Sequence, residues 1–448
     1  MNPDENNVVT FRTAFMVWLR IGLINFGGPA GQIALMHKML VEEHKWLSEA
    51  RFLHALNYCM LLPGPEAQQL AVYIGWLMHK TWGGLVAGVL FILPGFLLIL
   101  AISMLYISFG ELRWLQGLLF GMQAATLAIV LEAVLRLGKK ALKQRWLFLI
   151  SALAFFAIFA FAVPFPLIIV SAALIGIVGV KFAPHMLGMA STSVPLAAIE
   201  NATGATQPKP SLRWLCTVLV VGVFLWATPV LLLLLYLGPA NVFTQESLFF
   251  SKMAVVTFGG AYAVLVYITQ QAVQHYAWLS PAEMVQGLAL AETTPGPLIL
   301  VLSYVGFLGA YRSPGGLDPM LAGILGATLS TWVTFVPCFL WIFLGAPYIE
   351  RLRGNRWLNA ALSVITAAVV GVIANLSVWF ALHVCFREVG VWRGGIGFAV
   401  PVPNLESANL SALLLGAIAM LAMFKFHLGL MRTLLLCAVL GMALKLWF

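Results

Sequence analysis

The 448-residue sequence predicts an all-α polytopic membrane protein, with about thirteen transmembrane helices in two homologous halves that form an inverted repeat and are broken at Gly-Gly and Pro-Gly-Pro motifs. Three observations lead there. Composition comes first: 62% of the residues are hydrophobic and 9% charged, against roughly 25% charged in a soluble domain. The second is length, since apolar runs of about 20 residues recur from end to end, enough for a helix to cross a hydrocarbon layer about 30 Å thick. The third is punctuation: Phe26-Gly27-Gly28 and Pro63-Gly64-Pro65 return as Phe258-Gly259-Gly260 and Pro295-Gly296-Pro297, at a constant shift of 232 residues.

Duplication governs the rest of the reading. Trp46-Leu47-Ser48 falls on Trp278-Leu279-Ser280 without a gap, and beyond an insertion the register resumes at a shift of 243, with Pro94 on Pro337 and Trp114-Leu115 on Trp357-Leu358. Gly and Pro interrupt helices, because Pro lacks an N–H and clashes with the preceding turn while Gly leaves the backbone loose. The expected spans are 11–36, 50–79, 83–108, 111–137, 146–163, 165–182, 213–237, 247–273, 281–310, 320–345, 356–383, 408–424 and 427–447. Spans 50–79 and 281–310 carry a Pro-Gly-Pro near the middle and read either as kinked crossings or as pairs of half-helices. The domains follow as an N-terminal repeat at 1–182, a cytoplasmic linker rich in Ala, Ser, Thr and Pro at 183–212, and a C-terminal repeat at 213–448. The 384–407 loop, with Gly-Gly and Pro-Val-Pro, reads as an ordered but non-helical excursion.

Charge orients the chain. With the N-terminus cytoplasmic, fourteen basic residues fall inside, among them Lys80 and the cluster Lys139 to Arg145, and eight fall outside, among them Lys38, Lys45 and Arg51. The C-terminus is then periplasmic. The basic cluster follows the helix that starts near Trp114 but precedes the one near Trp357, so cytoplasmic clusters require the halves to run in opposite directions. The net charge of +9 belongs to such loops and not to a nucleic-acid partner. The first ten residues lack a basic n-region, so no cleaved signal peptide is expected. The five cysteines are scattered without CxxC spacing and no His cluster has ligand spacing, so neither disulfides, a metal nor a cofactor is expected.

Charged residues inside apolar spans mark a path or a site by default. Arg20 and Lys252 occupy the same repeat position, six residues before their Phe-Gly-Gly, and in an inverted structure both would approach an anion at the axis. Snorkelling to the interface is the competing explanation, stronger for Lys252. Broken helices add free N–H groups and a partial positive charge at each new N-terminus. Asn25, Gln68, Gln69, Thr257, Thr293 and Thr294 flank the breaks as further donors. Glu132 and Arg136, spaced i, i+4, read as an ion pair near the cytoplasmic end of their helix. Glu66 and Glu292 are not repeat equivalents and are the candidates for carrying a coupling proton, with helix capping or pairing to Arg20 or Lys252 as the alternative.

The FGGPAG stretch, LLPGPEAQQLAVYIGW, and the paired TFGG and TTPGP together resemble the chromate ion transporter family in its long, two-domain form, over residues 11–380. The resemblance implies a bacterial inner-membrane secondary transporter that exports chromate, a tetrahedral dianion, and confers resistance to it. The family's signature positions correspond to Phe26, Gly27, Gly28, Pro29, Pro63, Gly64, Pro65, Glu66 and Gln68. The second half departs at Ala261, Leu298 and Leu300, so the first half is expected to carry more of the recognition. A sulfate or related oxyanion carrier and a passive anion channel are the competing functions; a homodimer stays open. No HExxH, nucleophile elbow or phosphate-cradling motif suggests an enzyme.

Overall fold

The computed structural model describes residues 9–110, 112–182, 211–258, 261–346, 356–395 and 398–447. Gly259, Gly260 and nearly all of the 183–212 linker lie outside the described residues. The first half runs through α1 (Phe11–Ile24), α2 (Gly28–His37), α3 (Glu49–Cys59), α4 (Glu66–Phe109), α5 (Arg113–Ala141), α6 (Arg145–Phe161) and α7 (Phe165–Phe182). The second runs through α8 (Leu212–Leu237), α9 (Val242–Val256), α10 (Ala261–Thr269), α11 (Pro281–Thr293), α12 (Val301–Arg312), α13 (Pro319–Gly345), α14 (Arg356–Cys385), α15 (Leu410–Met420) and α16 (Leu430–Trp447). Among the described residues, seven helices are long and apolar enough to cross a membrane, and three shorter ones are apolar. The protein belongs to the all-α class of polytopic membrane proteins.

The segments holding the breaks do not run straight. Tyr58 and Tyr73 stand fifteen positions apart, roughly 22 Å along a continuous helix, yet their ring centroids are 5.3 Å apart. Gly287 packs directly on the ring of Tyr304, and Phe249 lies 5.3 Å from Tyr267. Each Pro-Gly-Pro is therefore the tip of a helical hairpin, formed by α3 with the first leg of α4 and by α11 with α12. Their starts are built alike: Ser48 Oγ accepts from the Arg51 N–H and Ser280 Oγ from the Glu283 N–H, where Glu283 completes a capping box. The span expected at 50–79 is thus two antiparallel half-helices, and so is 281–310. Apolar legs of eleven to thirteen residues are too short to cross the bilayer alone.

α4 bends at His79 and Lys80, where Lys80 takes a left-handed backbone (φ 54°), and its second leg turns back so closely that Gly75 meets the Gly83 carbonyl. Only glycine permits that approach. α1 runs beside this second leg, from the Val9 carbonyl 2.8 Å from His79 Nε2 to Gly22 against Leu90. At the same end of the fold, His37 closes α2 against Glu49 at the start of α3. α1 and α2 therefore also fold back on one another, which places Lys38, Lys45 and Arg51 at the end holding Val9 and Lys80. The base of the second hairpin, Glu283, instead meets Tyr106 near the far end of the same α4. The 384–407 loop folds into β1 (Val389–Arg393) and β2 (Ala399–Pro403), an antiparallel pair with Val389 opposite Pro403.

Candidate functional site

The breaks of the two halves grip each other. Gly64 N–H donates to the Thr257 carbonyl at 2.8 Å, and Gly296 N–H to the Asn25 carbonyl at 3.3 Å. Asn25 with Thr257, and Gly64 with Gly296, are repeat equivalents, so the contact is reciprocal, as a two-fold relation between units requires. Gly64 (φ 127°) and Gly296 (φ 102°) sit in backbone that side chains resist. Asn25 adds more: its Oδ1 accepts from Gly296 N–H at 2.5 Å and its Nδ2 donates to the Phe91 carbonyl at 3.4 Å. Gln32 Nε2 donates to the Gly296 carbonyl at 2.5 Å. Thr257 is less generous, because its hydroxyl turns back to the Met253 carbonyl.

Beside this junction lies a cavity of about 870 Å³. Gly27 (φ 91°) and Gly28 (φ 67°) bend the chain, and Pro29 supplies an N-terminal helical position that needs no donor. These three line one wall, so the start of α2, with its free N–H groups and partial positive charge, opens onto the space. Glu66 in the first turn of α4 lines it as well, with Glu132, Arg136, Lys140 and Lys143 on and just after α5 and Tyr262 on α10. Arg136 is bonded to Glu132, and Lys140 is the cation whose field reaches Glu66. Tyr262 Oη donates to Glu292 Oε1 at 2.6 Å. Glu292 is 1% exposed, and its other oxygen has no hydrogen-bond partner.

Several expected donors do not reach the cavity. Arg20 and Lys252 are exposed on the outer faces of α1 and α9, and the Lys252 ammonium stands 5.9 Å from the Tyr267 ring. The expectation that both meet an anion at the axis is corrected here: the helix faces that pack inward are Ala14, Val17, Trp18 and Ile21 in α1 and Phe249, Phe250 and Met253 in α9. The hydroxyls of Thr293 and Thr294 are spent on Leu290 and Ala291 carbonyls. Gln69 caps the Pro63 carbonyl at 2.7 Å, whereas neither amide atom of the fully buried Gln68 has a partner. Phe26 and Phe258 are half-buried. Pro65 and Pro297 precede the resumed helices, and Pro295 lies under Gly95.

The sequence reading missed Lys140, Lys143 and Tyr262, and saw Glu132 with Arg136 only as a pair. Spacing held part of the signal: 132, 136 and 140 recur at one face of α5, and Lys143 follows just past its end. His37, whose pKa is raised chiefly by its hydrogen bond to Glu49, stands at the rim.

Interrupted helices that meet beside a cavity lined by Arg136, Lys140 and Lys143, in a chain with seven apolar helices long enough to cross a membrane among the described residues, are the architecture of a membrane transporter. The chain belongs to the chromate transporter family, whose model matches residues 12–177 and 244–442. It is 30% identical to a chromate transport protein of Cupriavidus metallidurans, over 82% of this chain and 81% of the relative. It is also 30% identical to a chromate transport protein of Pseudomonas aeruginosa, over 83% and 81%. An uncharacterized transporter of Methanocaldococcus jannaschii is 26% identical over 86% of both chains. No solved structure matches the chain.

Proposed function

We propose that this protein exports chromate across a bacterial inner membrane by alternating access, with the two repeats inverted and rocking about the reciprocal junction of Asn25, Gly64, Thr257 and Gly296. The observation that carries the reading is the cavity of about 870 Å³ bounded by the start of α2 at Gly27-Gly28-Pro29 and by Arg136, Lys140 and Lys143. A tetrahedral dianion matches both walls: backbone N–H groups for its oxygens and side-chain cations for its charge. Hairpin bases at opposite ends of α4 support the inversion, with the first repeat at 1–182, a cytoplasmic linker at 183–212 and the second repeat at 213–448. Returning Lys38, Lys45 and Arg51 to the end with Lys80 and Lys139 strengthens the basic excess there, which supports a cytoplasmic N-terminus and a periplasmic C-terminus.

Export is the direction the membrane potential favours. Moving two negative charges out of a negative interior releases about 4.6 kcal/mol per 100 mV. Proton exchange would add to this through Glu66 at the cavity wall and Glu292 behind Tyr262. Cells expressing the protein are expected to accumulate less chromate and tolerate more of it. In inside-out vesicles, uptake should saturate and follow the potential. Greater accumulation on expression would overturn export, unsaturable flux would indicate a channel, and equal competition by sulfate would widen the substrate class.

A further inference from the structure

The equivalents of the cavity cations are not cations. At the shift of 243, Glu132, Arg136, Lys140 and Lys143 fall on Asn375, Trp379, His383 and Phe386, while Lys139 and Arg145 fall on Leu382 and Glu388. Five Lys and Arg residues within ten positions thus have no Lys or Arg equivalent in the other half. The two stretches lie at opposite ends of neighbouring antiparallel helices. Arg136 and Lys140 share the cavity with Leu362, Ser363 and Thr366 from the beginning of α14, so the helices lie antiparallel and the end of α14 is remote from the cations. There Trp379 and His383 stack at 4.1 Å, His383 Nδ1 lies 2.9 Å from the Trp379 carbonyl, and Asn375 is 8% exposed. The exposed Arg387 and Glu388 beyond them offset one another in charge.

A bland account competes, since basic residues gather at cytoplasmic helix ends to set topology whatever they face. The structure separates the two roles. Arg136, Lys140 and Lys143 turn into the cavity, whereas Lys139 and Arg145, in the same cluster, do not line it. We propose that Arg136, Lys140 and Lys143 form a one-sided anion funnel that loads the dianion at this mouth, and that the mouth bearing Asn375, Trp379 and His383 is built to release it. Glu42, Glu66 and Glu132 share the lining with the three cations, but Glu132 is bonded to Arg136 and Glu42 to His37, which leaves Lys140 and Lys143 to set the field. A cleft with a net cationic face and low-dielectric walls raises the local concentration of its ligand by about tenfold or more. An aromatic mouth offers the departing anion no such hold. The sequence difference between halves thereby gives the two faces of the carrier different apparent affinities, while the membrane potential sets the direction of net flux. This inference rests on the transport reading above.

The test measures initial rates of chromate uptake in vesicles of each orientation, across a range of ionic strength. At the face bearing α5's basic end, Lys140→Gln combined with Lys143→Gln should raise KM about tenfold, leave kcat within about twofold and flatten the salt dependence. Lys140→Arg should restore the wild-type value. Lys139→Gln and Arg145→Gln take equal charge from the same cluster and should leave KM within about twofold. The transplant Trp379→Arg with His383→Lys should lower KM for loading at the opposite face. Equal KM at both faces of the wild type, or equal shifts from Lys139→Gln and Lys140→Gln, would overturn the funnel while leaving transport intact. Absence of saturable chromate flux in either orientation would overturn the transport reading and the funnel with it.

Discussion

The Pro63-Gly64-Pro65 and Pro295-Gly296-Pro297 tips share a turn and a reciprocal contact, but their surroundings differ. Past the first tip, Glu66 reaches the wall of the cavity. Past the second, the equivalent position is Leu298, 1% exposed; beyond these two positions both segments are buried alike, from Ala67 to Trp76 and from Ile299 to Ala310. The grips differ too. Gly296 is held by the Asn25 carbonyl, the Asn25 amide and Gln32, while Gly64 has only the Thr257 carbonyl among the described partners of its N–H. Packing follows the same pattern, for a Cβ on Gly95 would stand 2.0 Å from the Pro295 carbonyl oxygen. The equivalent of Gly95 at the first tip is Cys338, which already carries a side chain beside Gly64. One turn, used twice, is thus more tightly held in the second half than in the first.

The largest effect should come from filling the second tip. Gly95→Ala forces backbone apart and should cost about 3 kcal/mol and abolish transport, while Cys338→Ala at the first tip should cost about 1 kcal/mol. Thermal unfolding in detergent together with vesicle uptake reads both, and similar costs would erase the distinction between tips. Next comes the grip itself. Asn25→Ala removes two buried hydrogen bonds at the second tip and should cost about 2 kcal/mol. Thr257→Ala keeps the carbonyl that Gly64 uses and should cost about 0.5 kcal/mol. A larger loss from the threonine would reverse which tip is held.

Much of this comparison was legible in the sequence, because Gly and Pro state their backbone requirements without tertiary help. The duplication and the two pairs of breaks followed from Phe26-Gly27-Gly28 and Pro63-Gly64-Pro65 returning as Phe258-Gly259-Gly260 and Pro295-Gly296-Pro297. The path of the chain through the breaks did not, since a half-helix that turns back has the same apolar composition as one that continues. Only contacts such as Tyr58 with Tyr73 decide it. The facing of Arg20 could have been read: Arg12, Thr13 and Arg20 share the exposed side of α1, opposite the stripe of Ala14, Val17, Trp18 and Ile21, so helical periodicity already turns Arg20 outward, and weighing only its depth in the span hid this. The β-hairpin at 389–403 was hidden by its Gly and Pro content, which suits an exposed edge as well as a loop.

The cavity rim predicts a smaller, pH-dependent effect. The His37 imidazole gains Glu49 and Glu42 as partners on folding, 2.5 Å and 3.1 Å away, and its pKa is raised, chiefly by the hydrogen bond to Glu49. Its stabilisation is fully present below the unfolded pKa of about 6.5 and fades as pH rises through the higher folded value. Melting temperature between pH 6 and pH 8.5 should therefore fall more in the wild type than in Glu49→Gln. An identical pH response in both would remove His37 from the rim's electrostatics.

Arg20 and Lys252 should give the smallest effect of all, although their matched repeat positions made them conspicuous. Both side chains are exposed on the outer surface, where long cationic chains snorkel to polar surroundings at little cost, and their distance from the cavity leaves them no contact with its contents. Arg20→Ala and Lys252→Ala should change stability by about 0.5 kcal/mol at most and leave the KM for chromate within about twofold. A tenfold rise in KM for either would mean that the outer faces of α1 and α9 rotate inward during the cycle, and the junction of the breaks would then have to move as a screw and not as a rocker.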